Sequence, residues 1–173
     1  MKFKKVSKWV LKSNEWTFGR LMGLYPPFMF FGTSIRFYNN FLEARIQQPL
    51  RWYFRNGHGT IFGGAILAVS DPFPAIMFSK RTPWALTWNK DHHVNFIKPG
   101  KSKLYAHIRI SQELLQNAHD ALNREGRFIH TFHWSFDDIQ GEVVAEVSST
   151  VYMRNPKHER YTNRNVEEEK FNP

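Results

Sequence analysis

The chain has 173 residues and no cysteine, which excludes a disulfide framework, a thiolate metal site and a cysteine nucleophile. Its length fits about one domain, and 42% hydrophobic with 23% charged residues is the composition of a globular protein. The net charge of +9 is concentrated in two zones, residues 1–20 with six basic residues against one acidic, and residues 80–110 with seven against one. Such zones are typical of proteins that meet a polyanion: nucleic acid, an anionic membrane or a phosphorylated ligand.

Residues 1–27 are interpreted as a basic extension of short helices, broken near Ser13-Asn14 and ended by Pro26-Pro27. Its lysines alternate with apolar residues, a pattern shared by packing elements and membrane-surface helices; we favour packing over membrane contact. Charged residues interrupt the apolar pattern too early for a signal peptide, and no run approaches the roughly 20 apolar residues that span a bilayer. We therefore expect a cytoplasmic protein.

The next segment predicts strands, a loop and then a buried helix. Residues 33–50 have the alternation of a strand, with a turn or bulge at Asn39-Asn40, and residues 56–59 are a loop. Residues 61–78 are apolar on nearly every side, which predicts a helix buried all round. One sheet is not enough to cover such a helix, so we expect a dimer.

The second half of the chain predicts four more strands and one helix. Ser111 is the expected N-cap of that helix and Gly126 its end. The strands are expected at residues 93–97, 103–110, 127–137 and 142–153. The predicted class is α+β, an antiparallel sheet wrapped around one long buried central helix with extra N-terminal helices. The main domain is placed at residues 28–154, followed by a polar tail at 155–173.

Asp71 is the only ionisable side chain in the predicted buried helix. Burial of a carboxylate is costly and raises its pKa, which suits a general base or a nucleophile. Asp71-Pro72 is also typical of a helix N-cap, so the same residue could restart the helix after a kink. The local sequence leaves both interpretations open.

Gly63-Gly64 is expected to open the buried helix. Free N–H groups at a helix start can bind an anion or form an oxyanion hole, although a glycine pair also serves close packing. Asn56 could donate to a carbonyl, or could simply shape its turn. The lysines Lys98, Lys101 and Lys103 could hold the phosphates of a ligand or belong to a solvated hairpin.

Three motifs in order resemble the hot-dog-fold acyl-CoA thioesterases of the PaaI type over about residues 28–154. They are NGHGTIFGGAILAVSD (Asn56–Asp71), HVNFIKPGKSKLYAHIRIS (His93–Ser111) and WSFDDIQGEVVAEVSSTVYMR (Trp134–Arg154). The chain is most similar to an uncharacterised branch with the pattern seen here as Pro49-Leu50-Arg51-Trp52, Gly59 to Gly64 and Asp71-Pro72-Phe73.

The resemblance implies hydrolysis of an acyl-CoA or acyl-carrier thioester. According to the resemblance, Asp71 activates water or attacks the thioester, the Gly63 amide holds the oxyanion, and Asn56 orients the carbonyl or the nucleophile. The expected substrate contacts are Gly64, Thr60, Asn89, Lys98 and Lys101. The resemblance also implies a homodimer, or a tetramer built from it, in which the acid and the amide donors come from different subunits.

Two residues depart from the PaaI pattern: Phe62 replaces its histidine, and Pro72 follows the acid directly. They favour, as the alternative, a non-catalytic dimer that binds acyl groups or acyl-CoA. A basic dimer that binds nucleic acid is a third hypothesis, not favoured because no reading motif is present. We expect no cofactor and no metal.

Overall fold

The computed structural model describes residues 13–159 and 161. Five α-helices are present in this part of the chain: α1 Glu15–Gly23, α2 Pro26–Phe31, α3 Gly63–Ser70, α4 Phe73–Arg81 and α5 Gln112–Arg124. The six strands are β1 Ser34–Tyr38, β2 Glu43–Gln48, β3 Leu86–Phe96, β4 Leu104–Arg109, β5 Arg127–Asp137 and β6 Val143–Arg154. A short 3₁₀ helix spans Trp52–Phe54.

The six strands form one antiparallel sheet in the order β1-β2-β4-β5-β6-β3. β5 and β6 pair along their whole length, whereas β4 and β5 share only two residue pairs before they diverge. β3 pairs with β6 on one side and is the last strand of the sheet. One edge of β3 therefore carries backbone groups that no described strand of this chain pairs.

Helices α3 and α4 form the layer enclosed by the sheet, and their inward residues are buried. The sequence predicted one continuous helix over residues 61–78, and that prediction is wrong. The helix breaks between Ser70 and Phe73 because Pro72 has no backbone N–H to continue the hydrogen-bond ladder of α3. The predicted class and the enclosed helical layer are confirmed.

Most other elements lie where the sequence placed them. Asn39 and Asn40 form the turn between β1 and β2 with positive φ angles, a conformation that asparagine tolerates. Ser111 caps α5 by accepting a hydrogen bond from the Leu114 amide at 3.0 Å. Pro26 begins α2 rather than ending a helix, since proline is favoured in the first helical turn.

The N-terminal part is joined closely to the sheet. Asn14 caps α1, as its side chain accepts a hydrogen bond from the Thr17 amide at 2.9 Å. α1 crosses β1 at Gly19, where a Cβ would lie only 2.8 Å from the Ile35 carbonyl oxygen. The helix predicted in residues 1–12 and most of the predicted polar tail lie outside the described residues. No helix in the described part of the chain is long and apolar enough to cross a membrane.

Candidate functional site

A cavity of about 380 Å³ opens at the N-terminal end of α3. Four of the predicted site residues line it: Asn56, Thr60, Gly63 and Lys98. The rest of the lining is largely apolar and includes the ring of Phe96. The fold thus gathers residues from the 56–60 loop, the start of α3 and the β3–β4 connection around one space.

The start of α3 offers two free amides to this region. Phe62 donates its N–H to the Phe54 carbonyl at 3.2 Å, and Ala65 donates to the Phe62 carbonyl at 2.9 Å. The intervening amides of Gly63 and Gly64 have no acceptor among the described residues. Amides left free at a helix start are suited to stabilise negative charge on an oxygen atom.

An added Cβ at either glycine would require a neighbouring aromatic ring to shift. A Cβ on Gly63 would lie 3.1 Å from the Phe96 ring, and a Cβ on Gly64 would lie 2.4 Å from the Phe62 ring. Phe62 itself is more than half exposed. The aromatic ring that replaces the histidine of the PaaI pattern therefore lies against Gly64.

Asn56 shapes its own loop. Its side-chain oxygen accepts hydrogen bonds from the His58 and Thr60 amides, and its side-chain nitrogen donates to the Thr60 hydroxyl at 2.8 Å. Thr60 is buried by this arrangement. These bonds support the turn interpretation and leave one N–H of the Asn56 amide group for a ligand.

Asp71 lies at the opposite end of α3, as its C-cap. The sequence analysis expected a buried carboxylate, but Asp71 is exposed on the single chain, because the helix breaks there. The N-cap interpretation is also wrong, since Pro72 occupies that position in α4. The Asn89 side chain of β3 donates to the Asp71 carbonyl and, at 3.2 Å, to its carboxylate. The structure thus brings together Asp71 and Asn89, both predicted site residues.

A pair formed by the buried Ser70 and the half-buried His92 lies beside Asp71. The Ser70 hydroxyl donates to the Leu67 carbonyl at 2.9 Å and lies 2.8 Å from His92 Nε2. Which of the two atoms donates in the second bond depends on the tautomer of His92. Sequence analysis missed this pair; the signal was a serine next to the acid in an otherwise apolar helix.

Burial lowers the pKa of His92, while the Asp71 and Asp91 carboxylates oppose that effect and His93 adds to it.

The inward face of the sheet also carries buried polar atoms that lack a partner among the described residues: His92 Nδ1, Ser149 Oγ, Trp134 Nε1 and Asn89 Oδ1. His92 and Ser149 are opposite each other in β3 and β6, and the rings of His92 and Trp134 are 6.2 Å apart. Unpartnered atoms of this kind are suited to hold water or a polar group of a ligand.

The two lysines predicted to contact substrate differ. Lys98 forms ion pairs with Asp138, at 2.8 Å, and with Glu142 in the β5–β6 hairpin. Hydrogen bonds to these two carboxylates raise the pKa of Lys98. Lys101 is exposed and does not line the cavity. Lys98 is thus a hairpin ion-pair partner that borders the cavity, and its charge is already balanced.

Within one chain the free amides and the acid lie far apart. Gly63 and Asp71 are separated by eight residues of helix, or roughly 12 Å. The described side chains contain no group of three or more histidines and carboxylates that could hold a metal ion. A reacting group could touch both ends of α3 only if a second chain supplied one of them.

The sequence matches the family described as "Domain of unknown function (DUF4442)" over residues 14–153. No curated protein matches it. In structure the chain is similar to a Pseudomonas aeruginosa protein of unknown function described as a probable thioesterase, with 18% identity, a TM-score of 0.72, and 79% of this chain and 92% of that chain covered.

Two further solved structures are similar. One is a protein of unknown function from Chlorobaculum tepidum, with 14% identity, a TM-score of 0.65, and 87% of this chain and 95% of that chain covered. The other is a thioesterase from Haemophilus influenzae, with 13% identity, a TM-score of 0.62, and 86% of this chain and 96% of that chain covered. At these identities the likeness establishes the fold, which is the hot-dog fold predicted from the sequence.

Proposed function

The chain belongs to the DUF4442 family, and we propose that it hydrolyses an acyl-CoA or acyl-carrier thioester. The observation that carries this proposal is the pair of free amides at Gly63 and Gly64, of which Gly63 lines a cavity at one end of a helix whose other end holds Asp71. The names of two similar structures, a probable thioesterase and a thioesterase, support the same reaction class.

The chemistry needs an acid residue, an oxyanion hole and water. Water attacks the thioester carbonyl and gives a proton to the Asp71 carboxylate, while negative charge develops on the carbonyl oxygen at the Gly63 and Gly64 amides. The carbon–sulfur bond then breaks, and the departing thiolate takes up the proton. Direct attack by Asp71 through an anhydride is the other route that the resemblance leaves open.

Asn89 has a positioning role in this proposal. Its amide group donates to both the backbone carbonyl and the carboxylate of Asp71, which fixes the orientation of the acid at the end of α3. The hydrogen bond between Ser70 and His92 links the same helix end to β3. Residues that orient a catalytic group in this way act through it rather than on the substrate.

A homodimer completes the site. α3 runs antiparallel to β3, so Gly63 lies beside Phe96 and Asp71 beside Asn89. If the open edge of β3 pairs antiparallel with its copy, centred between His92 and His93, Asn89 of one strand lies opposite Phe96 of the other. The partner subunit's Asp71 then lies next to the Gly63 amide of the first.

The surface of β3 supports this assembly. Leu86, Trp88 and Phe96 on the strand, and Phe62 and Leu67 at α3, are large apolar residues exposed on the single chain. An unpaired edge strand flanked by exposed apolar side chains is typical of an interface between two sheets. Pairing would also bury Asp71, whose exposure on the single chain does not suit a general base.

Asp71→Asn tests the reaction. The substitution keeps the shape of the side chain and removes the charge, so we expect turnover of acyl-CoA thioesters to fall by roughly a hundredfold or more with little change in melting temperature. The measurement is thiol release across a series of acyl chain lengths. Asp120→Asn, which removes an exposed carboxylate on α5, is the matched control and should keep full activity.

Full turnover by Asp71→Asn would exclude Asp71 from catalysis. If the wild-type protein hydrolyses none of these thioesters but binds acyl-CoA in calorimetry, the acyl-binding dimer becomes the better account. The exposed Phe62 ring against Gly64 favours that alternative, because it replaces a polar residue of the PaaI pattern.

A further inference from the structure

The outer face of α2 and the adjacent 3₁₀ helix form an exposed apolar surface, here called the α2 surface. It consists of Leu24, Tyr25, Met29, Phe30, Trp52 and Tyr53. Trp52 is 80% exposed and Phe30 56% exposed. Large apolar side chains scattered singly over a surface need no explanation, but a contiguous group of them marks an interaction site.

Contacts between these residues make the surface continuous. The Phe30 and Tyr53 rings are 5.6 Å apart, and so are the Tyr53 and Trp52 rings. Tyr25 and Met29 are one helical turn apart, joined by the hydrogen bond from the Met29 amide to the Tyr25 carbonyl at 2.9 Å. Phe28, on the opposite face of α2, is buried against Phe73. α2 is therefore anchored by one side and presents the other outward.

The positive charge of the chain is concentrated in the part of the sequence that contains this surface. Residues 1–60 hold ten basic and two acidic residues, while residues 61–173 hold fourteen and thirteen, so the first third carries almost all of the net charge of +9. Both acidic residues are engaged elsewhere: Glu15 accepts a hydrogen bond from the Phe41 amide at 2.8 Å, and Glu43 is buried against Arg45. Arg51 and Arg55 flank the 3₁₀ helix and are exposed.

We infer that the α2 surface docks on an anionic membrane. Tryptophan and tyrosine with flanking arginines are the composition that settles at a lipid headgroup boundary, and the positive charge of residues 1–60 complements an anionic leaflet. A second copy of the chain would bring the same positive charges together, which opposes self-association. Nucleic acid would meet an apolar centre of leucine, methionine and phenylalanine instead of basic groups.

Vesicle sedimentation of the full chain tests the inference, with phosphatidylcholine vesicles compared with vesicles that also contain phosphatidylglycerol. The wild-type protein should bind the anionic vesicles more tightly, and added salt should weaken this binding. Phe30→Ser and Trp52→Ser should each reduce it about tenfold, since each removes a large apolar side chain from the lipid boundary. Ile139→Ser, at the exposed β5–β6 hairpin, is the matched control and should bind as the wild type does.

Three results would overturn the inference. The first is equal binding of the wild-type protein to neutral and anionic vesicles. The second is unchanged binding by Phe30→Ser and Trp52→Ser, which would assign any attraction to charge alone. The third is a change of oligomeric state in these two variants by light scattering, which would identify a second copy of the chain as the occupant of the α2 surface.

Discussion

Ser70, Asp71, Asn89 and His92 meet where α3 ends, and their roles follow from how they are bonded. Asn89 holds the acid through its side-chain amide, and Ser70 ties His92 to the last turn of the helix. His92 is thereby fixed in one orientation, with Nε2 toward Ser70 and Nδ1 toward the inward face of the sheet. This group makes the end of α3 a defined polar position in an otherwise apolar layer.

His92 should make stability depend on pH. Because burial lowers its pKa below the ordinary 6.5, the unfolded chain binds more protons than the folded chain between the lowered value and 6.5. The free energy of unfolding should therefore fall as the pH decreases from about 7 to about 5. His92→Gln keeps a donor for Ser70 and should remove this component, as measured by urea unfolding at the two pH values.

His93→Gln is the matched control for this experiment. His93 is the next residue of β3, is exposed on the opposite face and makes the smallest contribution to the lowered pKa of His92, so its replacement should keep most of the pH dependence of the wild type. Identical pH dependence in the wild-type protein and His92→Gln would show that the folded state does not hold His92 neutral.

Sequence patterns and the family resemblance predicted Asp71, Asn89, Gly63 and Asn56 as site residues. They did not predict how these residues are arranged. The contact between Asp71 and Asn89 joins a helix end to a strand eighteen residues later, and its position depends on a bulge in β3. The expectation of a buried Asp71 failed because the helix breaks at Pro72, an interpretation that the local sequence had left open. His92 was not among the predicted site residues, because no local pattern links it to Ser70, twenty-two residues earlier.

At the scale of elements, the break between α3 and α4 decides where the acid lies. In a continuous helix, residue 71 would be an internal helical position. The break instead makes Asp71 the end of α3, beside Asn89. The hydrophobic pattern of residues 61–78 could not show this, since both halves are apolar and equally buried. β3 was predicted to begin seven residues too late, because its first half lacks a clear apolar alternation.

The start of α3 is open to a direct test with Gly63→Ala. The added Cβ would press on the Phe96 ring at 3.1 Å, displace the free amides and lower kcat/KM for thioester hydrolysis by roughly tenfold or more. Gly57→Ala, in the loop before α3, adds a Cβ with nothing within 4 Å and is the control. Equal activity of the two alanine variants would argue against an oxyanion hole at Gly63.

At the scale of the whole molecule, the open edge of β3 predicts the assembly. Light scattering should give a particle of twice the chain mass of 20.5 kDa at micromolar concentration. The exposed apolar residues of β3 and α3 would otherwise be left in water, at a cost of about 25 cal/mol per Å². A monodisperse particle of the single-chain mass would contradict the dimer and, with it, the completed site.

Co-expression of Asp71→Asn and Gly63→Ala chains, each with a different affinity tag, tests the central claim most directly. Each variant alone should lose most of its hydrolytic activity, while the mixed dimer keeps one site in which an intact Asp71 faces an intact Gly63 of the partner subunit. Purified through both tags, the mixed dimer should regain roughly half of the wild-type activity. A mixed dimer as inactive as the two variants would contradict a thioesterase site shared between subunits.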